Sequence, residues 1–74
     1  MHDLASVHVQ IPYANMALMN KIRAWARKNN ATVKVQRYAR DAYEGHVVVH
    51  SPWDEGAGVA QSKAIALRAL IAAK

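Results

Sequence analysis

Residues 31–50 read ATVKVQRYARDAYEGHVVVH, two segments with strand-like alternation on either side of a polar turn. In residues 31–40, alanine and two valines alternate with polar residues, which indicates a strand with one buried face. Residues 41–45 have the composition of a turn, and Gly45 can adopt a positive φ there. Residues 46–50 form the next apolar segment. We therefore predict a β-hairpin made of strands 31–40 and 46–50.

The residues before this hairpin predict a strand followed by a helix. Residues 4–11 alternate between apolar and polar side chains, and Pro12 is expected to end the strand because proline cannot donate to a ladder. Asn15 is a typical N-cap for a helix over residues 15–29, and Asn30 can end it in a left-handed conformation. The predicted apolar face of this helix consists of Leu18, Met19, Ile22, Trp25 and Ala26.

The residues after the hairpin predict a loop and a second helix. Serine, proline and two glycines favour a loop over residues 51–58 that holds one helical turn, the alternative being a soft helix that starts at Pro52. Trp53 is expected to cap the end of the core, the alternative being an exposed aromatic side chain for a partner. The alanine- and leucine-rich helix then runs from Val59 to Ala73. Its predicted core stripe consists of Val59, Ala66, Leu67, Leu70 and Ala73, with Ile65, Ala69 and Ala72 off that stripe.

The predicted order β-α-β-β-α indicates a single small α+β domain over residues 1–74. A right-handed crossover places the first helix on one sheet face, and the simplest arrangement inserts strand 3 between strands 1 and 2, antiparallel to both. This is a three-stranded antiparallel sheet of order 1-3-2 with two helices on one face, a truncated ferredoxin-like split β-α-β unit. The arrangement leaves the other sheet face open and strand 1 as a free edge.

Length and composition narrow the functional classes. The chain has 74 residues and 8.2 kDa, of which 53% are hydrophobic, and it contains no cysteine. A folded domain of this size leaves little room for an enclosed catalytic cleft and often gains burial by dimerisation. There is no P-loop, dinucleotide or metalloprotease motif, and no signal peptide or membrane-spanning run is expected. We therefore expect a cytoplasmic, non-enzymatic protein without cofactors, and a homodimer.

Charge is strongly segregated along the chain. The net charge is +5, and no Asp or Glu occurs between residues 4 and 40. Such a block is typical of surfaces that bind phosphates, although an acidic protein partner or solubility alone would also use it. Seven cations lie within residues 21–40, namely Lys21, Arg23, Arg27, Lys28, Lys34, Arg37 and Arg40.

The open sheet face is predicted to be polar and basic. Single-stranded nucleic acids are often bound on such a face by stacking of bases on aromatic side chains, and Tyr38 is the clear stacking candidate here. His46 and His50 lie four residues apart on one strand, about 13 Å, which is too far to chelate one metal ion. His8 is expected to approach either of them across a strand pair. We read these histidines as polar surface residues and predict no metal site.

Residues 56–63, Gly-Ala-Gly-Val-Ala-Gln-Ser-Lys, resemble the glycine loop and the Ser-Lys start of the last helix in double-stranded RNA-binding domains. In that family, lysines at this helix start contact phosphate. The family begins with a helix and carries a paired lysine, whereas this chain begins with a strand and has Lys63-Ala64. The resemblance therefore implies only that Lys63 is a candidate phosphate contact.

The sequence as a whole favours a nucleic-acid-binding module that contacts phosphates through a basic helix and hairpin face. DNA and RNA, and single and double strands, remain equally open. The alternative is a small interaction protein or inhibitor, of the kind mobile elements encode, that docks on an acidic protein surface or through the free strand edge. The candidate nucleic-acid-binding residues are Lys21, Arg23, Arg27, Lys28, Lys34, Tyr38, Arg40 and Lys63.

Overall fold

The structure is a computed structural model that describes residues 5–51 and 57–73. Three strands and two helices follow one another in the predicted order. The elements are β1 (Ala5–Ala14), α1 (Met16–Asn29), β2 (Thr32–Ala39), β3 (Ala42–Ser51) and α2 (Ala57–Ala73). The predicted loop around Trp53 lies outside the described residues.

The sheet has the predicted order β1-β3-β2, with β3 antiparallel to both neighbours. The valines that alternation assigns to the helix side are buried or half-buried. Val9, Val47 and Val49 are fully enclosed, and Val7, Val33 and Val35 pack against the same cluster. The α+β architecture and the sheet order are therefore confirmed.

Both helices contribute to one core on the valine side of the sheet. The largest helix side chains in it are Met19 and Ile22 from α1 and Leu67 from α2, all with no exposed surface. Helix α2 packs on β1 and β3, whereas α1 also reaches β2. The other sheet face is left without a helix among the described residues.

The hairpin turn differs from the prediction. It consists of two residues, Arg40 and Asp41, and β3 begins at Ala42 instead of residue 46. Gly45 therefore lies inside a strand, with φ 155°. A Cβ atom there would overlap the Lys34 carbonyl oxygen and lie 2.6 Å from the Val35 Cα, so the close approach of β2 explains this glycine.

Strand β1 continues past Pro12, contrary to the prediction. The register with β3 shifts between Ile11 and Ala14, so one extra residue is accommodated at Pro12 and Tyr13. Such a bulge tolerates a proline because the ladder is already interrupted there. Ala14, after the bulge, returns to the core with no exposed surface.

Helix α1 agrees with the sequence, and α2 agrees only in part. Met19, Ile22 and Ala26 are buried, Leu18 and Trp25 are half-buried, and Asn30 ends α1 with φ 55°, as expected. In α2 the predicted stripe is correct at Leu67, which is buried, and at Val59 and Leu70, which are half-buried. It is wrong at Ala66 and Ala73, which are exposed. The helix starts two residues before the predicted Val59. The core side of α2 consists of Ala60, Ala64, Leu67 and, half-buried, Leu70 and Ile71, while Ile65, Ala69 and Ala72 are exposed as predicted.

Candidate nucleic-acid interface

Helix α1 displays four exposed cations, Lys21, Arg23, Arg27 and Lys28. Arg23 and Arg27 are one turn apart and therefore lie one above the other on the same flank. Lys21 and Lys28 are two turns apart and lie on the opposite flank of the buried stripe. The helix thus carries two basic rows instead of one uniform face.

The two rows face different parts of the molecule. Lys21 lines a groove together with Ile71 of α2, so its row lies on the α2 side. Arg23 and Arg27, on the other flank, point away from α2 and toward the side of the sheet where α1 reaches β2. The arginine row is therefore the one that adjoins the basic hairpin.

The hairpin cations are spread over three positions. Lys34 is exposed on the open sheet face, where it pairs across the strands with His46. Arg37 pairs with buried Tyr43, which assigns it to the helix side of the sheet. It is nevertheless exposed, because the strand is interrupted by the register shift directly after it. Arg40 occupies the hairpin turn itself.

The acid nearest to this basic block is engaged with the backbone of α1. The Met16 amide donates a hydrogen bond to Asp41 Oδ1 at 2.8 Å, and the Leu18 amide donates to Asn15 Oδ1 at 2.9 Å. Both contacts satisfy first-turn amides that have no partner within the helix. Asp41 therefore fixes the hairpin turn against the start of α1, where its negative charge also suits the helix dipole.

Tyr38 is more prominent than alternation suggests. Arg37 pairs with Tyr43 and Ala39 pairs with Ala42, so Tyr38 is the extra residue of a β-bulge. Its side chain is 53% exposed. The ring is thus presented at the tip of the hairpin, two residues from Arg40, and is accessible for stacking.

The open sheet face carries a histidine pair that the sequence only hinted at. The rings of His8 and His46 stack with centroids 5.2 Å apart and an interplanar angle of 12°. His8 and Thr32 flank Val48 in the same cross-strand row, and Val48 is buried between them at 9% exposure. The alternation pattern predicts that His8 and His46 lie on one face of the sheet, but it does not predict that their rings stack.

His50 does not join this pair in a metal site. Its Nε2 lies 3.4 Å from Thr32 Oγ1 of β2, on the side of β3 opposite His8. Among residues 5–51 and 57–73, no three His, Cys, Asp or Glu side chains are grouped so that they could hold a metal ion.

Lys63 lies apart from the other candidate residues. It is half-buried between the helices, and its Nζ lies 3.5 Å from the Asn29 carbonyl oxygen at the last turn of α1. A lysine at this position interacts favourably with the carboxyl end of the helix dipole. Its local surroundings explain the residue without a phosphate.

A groove at the end of β1 was missed by the sequence reasoning. It encloses about 490 Å³ between the β1 bulge, the first turn of α1 and the last turn of α2. Tyr13, Leu18 and Ile71 make most of its wall apolar, and Lys21 lies at the rim. The sequence feature that could have indicated this groove is the Pro12-Tyr13 pair, which the alternation pattern alone assigns to the end of a strand.

Compared with protein-family models, curated protein sequences and solved structures, the chain matches none of them. In the part of the chain that the structure describes, neither helix combines the length and apolarity needed to cross a bilayer.

Proposed function

We propose that this chain is a non-enzymatic nucleic-acid-binding module, a truncated ferredoxin-like split β-α-β unit that acts in the cytoplasm. The observation that carries the proposal is the exposure of the whole basic block. All seven cations of residues 21–40 are exposed, and no acid occurs between residues 4 and 40. Solubility is usually served by charges of both signs, so a segment whose exposed charges are all positive favours a polyanionic ligand.

The arginine row and the hairpin together make the principal phosphate-binding surface of this proposal. Arg23 and Arg27 form one row on α1, and Arg37 and Arg40 continue the positive charge along the adjoining hairpin. Arginine donates two parallel hydrogen bonds to a phosphate, which makes it suited to backbone contacts. Lys21 and Lys28, on the other flank, extend the attractive field toward α2.

The hairpin tip and the open face supply the second part of the proposal. Tyr38 is exposed beside Arg40, and Lys34 lies on the open face with the stacked pair of His8 and His46. Aromatic rings beside cations are the usual means of holding unstacked bases. This combination favours single-stranded segments as the ligand of the hairpin tip.

The test is fluorescence anisotropy of labelled single- and double-stranded oligonucleotides as a function of salt. For duplex DNA, each phosphate contact contributes about −0.9 to the slope of log Kobs against log salt. The double variant Arg23→Ala with Arg27→Ala is expected to reduce that slope by about 1.8 and to weaken binding to every sequence.

The matched control is Arg68→Glu on α2, which changes the net charge by the same two units at an exposed position outside the basic block. If both variants weaken binding equally, only overall charge matters and the proposed surface is wrong. Absence of binding at low salt would contradict the nucleic-acid function itself.

The second candidate is a small protein-interaction module, and the groove at the end of β1 favours it. An apolar wall of Tyr13, Leu18 and Ile71 with Lys21 at the rim suits an acidic partner segment that carries an apolar anchor. Retention of a protein partner by the wild type but not by Leu18→Asp, together with no oligonucleotide binding, would favour this candidate over the first.

A further inference from the structure

Strand β1 is an edge strand without the usual protection. Among the described residues it pairs with β3 alone, so its other side has no strand neighbour. Its sequence from Ala5 to Ala14, ASVHVQIPYA, contains no charged side chain. Natural edge strands normally carry charges, prolines or bulges that prevent pairing with another chain. Here the proline and the bulge lie only at the last third, which leaves residues 5–11 regular.

The opposite edge, β2, is protected against self-pairing. Lys34 and Arg37 lie along it, and both are exposed. Two copies of a strand related by a two-fold axis run antiparallel, and each side chain then lies near side chains of its own copy. On β2 this arrangement would bring the Lys34 side chains of the two copies toward each other on the open face and the Arg37 side chains toward each other on the helix side, and like charges across strands are destabilising. On β1 it brings together serine, histidine and glutamine.

An exposed isoleucine lies on the same side of the molecule as the β1 edge. Ile65 of α2 is 64% exposed. Lys63, two residues earlier, reaches the last turn of α1, so Ile65 lies about 200° around the helix, on the side away from α1. Because α2 covers β1 and β3 while α1 reaches β2, that side is the β1 edge.

We propose that two copies of this chain pair through β1, antiparallel about a two-fold axis, and form a continuous six-stranded sheet with Ile65 of each copy beside the junction. The pairing satisfies the free backbone groups of residues 5–11. It also buries additional apolar surface, and a domain of this size buries little on its own. It needs no nucleic acid and is independent of the function proposed above. It would place the two basic β2 edges about 24 Å apart, since five inter-strand spacings separate them.

Two double variants with equal added charge test the assignment of the edge. His8→Lys with Gln10→Lys changes exposed positions on β1, and Thr32→Lys with Gln36→Lys changes exposed positions on β2. Sedimentation equilibrium of the wild type is expected to give twice the 8.2 kDa chain mass. The β1 pair should raise the dissociation constant at least about tenfold because the new charges face one another, whereas the β2 pair should leave it within about threefold.

Because the natural chain lacks cysteine, single introduced cysteines report proximity directly. Ser6→Cys, His8→Cys and Gln10→Cys should include at least one variant that oxidises rapidly to a disulfide-linked dimer, since residues at the axis bring their Cα atoms within disulfide range. Gln36→Cys is the matched control on β2 and should remain a monomer on a denaturing gel.

A monomer mass at all concentrations would overturn the proposal. So would a dimer that survives the β1 double variant, or cross-linking of Gln36→Cys as fast as that of the β1 series. Circular dichroism of each variant establishes that loss of the dimer is not loss of the fold, and all substituted positions are exposed.

Discussion

The carboxylate of Asp41 accepts a hydrogen bond from the backbone amide of Met16 at 2.8 Å, although the two residues are 25 positions apart. One is in the two-residue turn between β2 and β3, and the other is the first residue of α1. The contact therefore joins the tip of the hairpin to the start of the helix that carries the arginine row. It couples the two parts of the proposed phosphate-binding surface.

Replacing Asp41 with alanine should destabilise the fold by about 1 kcal/mol, the usual effect of losing a side-chain cap. Urea unfolding at neutral pH measures the change in the free energy of unfolding. Asp41→Asn keeps an acceptor oxygen and should lose less. The control is Glu44→Ala, whose only described side-chain contact is a 3.4 Å bond from Gln36 Nε2. An equal loss in Asp41→Ala and Glu44→Ala would argue against the capping role.

Gly45→Ala should be among the most damaging single-methyl additions in the chain. The added Cβ would overlap the backbone of β2, and φ 155° is unfavourable for alanine, so a loss above about 1 kcal/mol is expected. The comparison variant is Gly58→Ala in α2, where an added Cβ would have no neighbouring atom within 4 Å. That variant should gain about 0.5–1 kcal/mol. Thermal or urea unfolding of both variants measures the change in the free energy of unfolding. An increase in stability for Gly45→Ala would contradict the strand pairing.

Substitutions of Lys63 and Lys21 should affect different quantities. The first should change the stability of the fold, and the second should change the affinity for oligonucleotides. Lys63→Met removes the ammonium group beside the Asn29 carbonyl and should cost about 0.3–1 kcal/mol of unfolding free energy with little change in oligonucleotide affinity. Lys21→Met, at an exposed position, should show the reverse. Measurement of both quantities for both variants is needed. A large affinity loss with Lys63→Met would support the phosphate contact implied by the resemblance to double-stranded RNA-binding domains.

Tyr38→Ala should weaken binding of single-stranded oligonucleotides about fivefold or more, since stacking of one base contributes about 1–3 kcal/mol. Duplex binding should change little because its bases are not available to the ring. Tyr38→Phe keeps the aromatic surface and should retain most of the affinity. Anisotropy titrations with the two oligonucleotide types measure this difference. Equal losses on single strands and duplexes would place Tyr38 outside any stacking contact.

Much of the fold followed from local patterns. Valines alternating in residues 31–35 and 47–49 predicted which side chains face the helices, and Asn15 and Asn30 predicted the ends of α1. The turn was misplaced because Gly45 looked like a turn residue, whereas its lack of a side chain serves the close approach of β2. A close approach between strands is a tertiary property that no local rule contains.

The stripe on α2 was misplaced at Ala66 and Ala73 for a related reason. The helix is rich in alanine and leucine, so several faces are almost equally apolar and periodicity cannot select one. Contact with β1 and β3 selects the face of Ala60, Ala64 and Leu67. On α1 the cations on the outer face mark the buried side, and the prediction there was correct.

The sequence by itself determined the order of the elements, the sheet side of each valine and the segregation of positive charge, because all of these depend on neighbours along the chain. The tertiary structure alone decided which of the two basic rows on α1 lies on the side of α2 and that Asp41 caps that helix. It also decided that His8 stacks on His46 and that β1 continues past Pro12 through a bulge. These features depend on distances between residues far apart in sequence, which only the packed sheet and helices define.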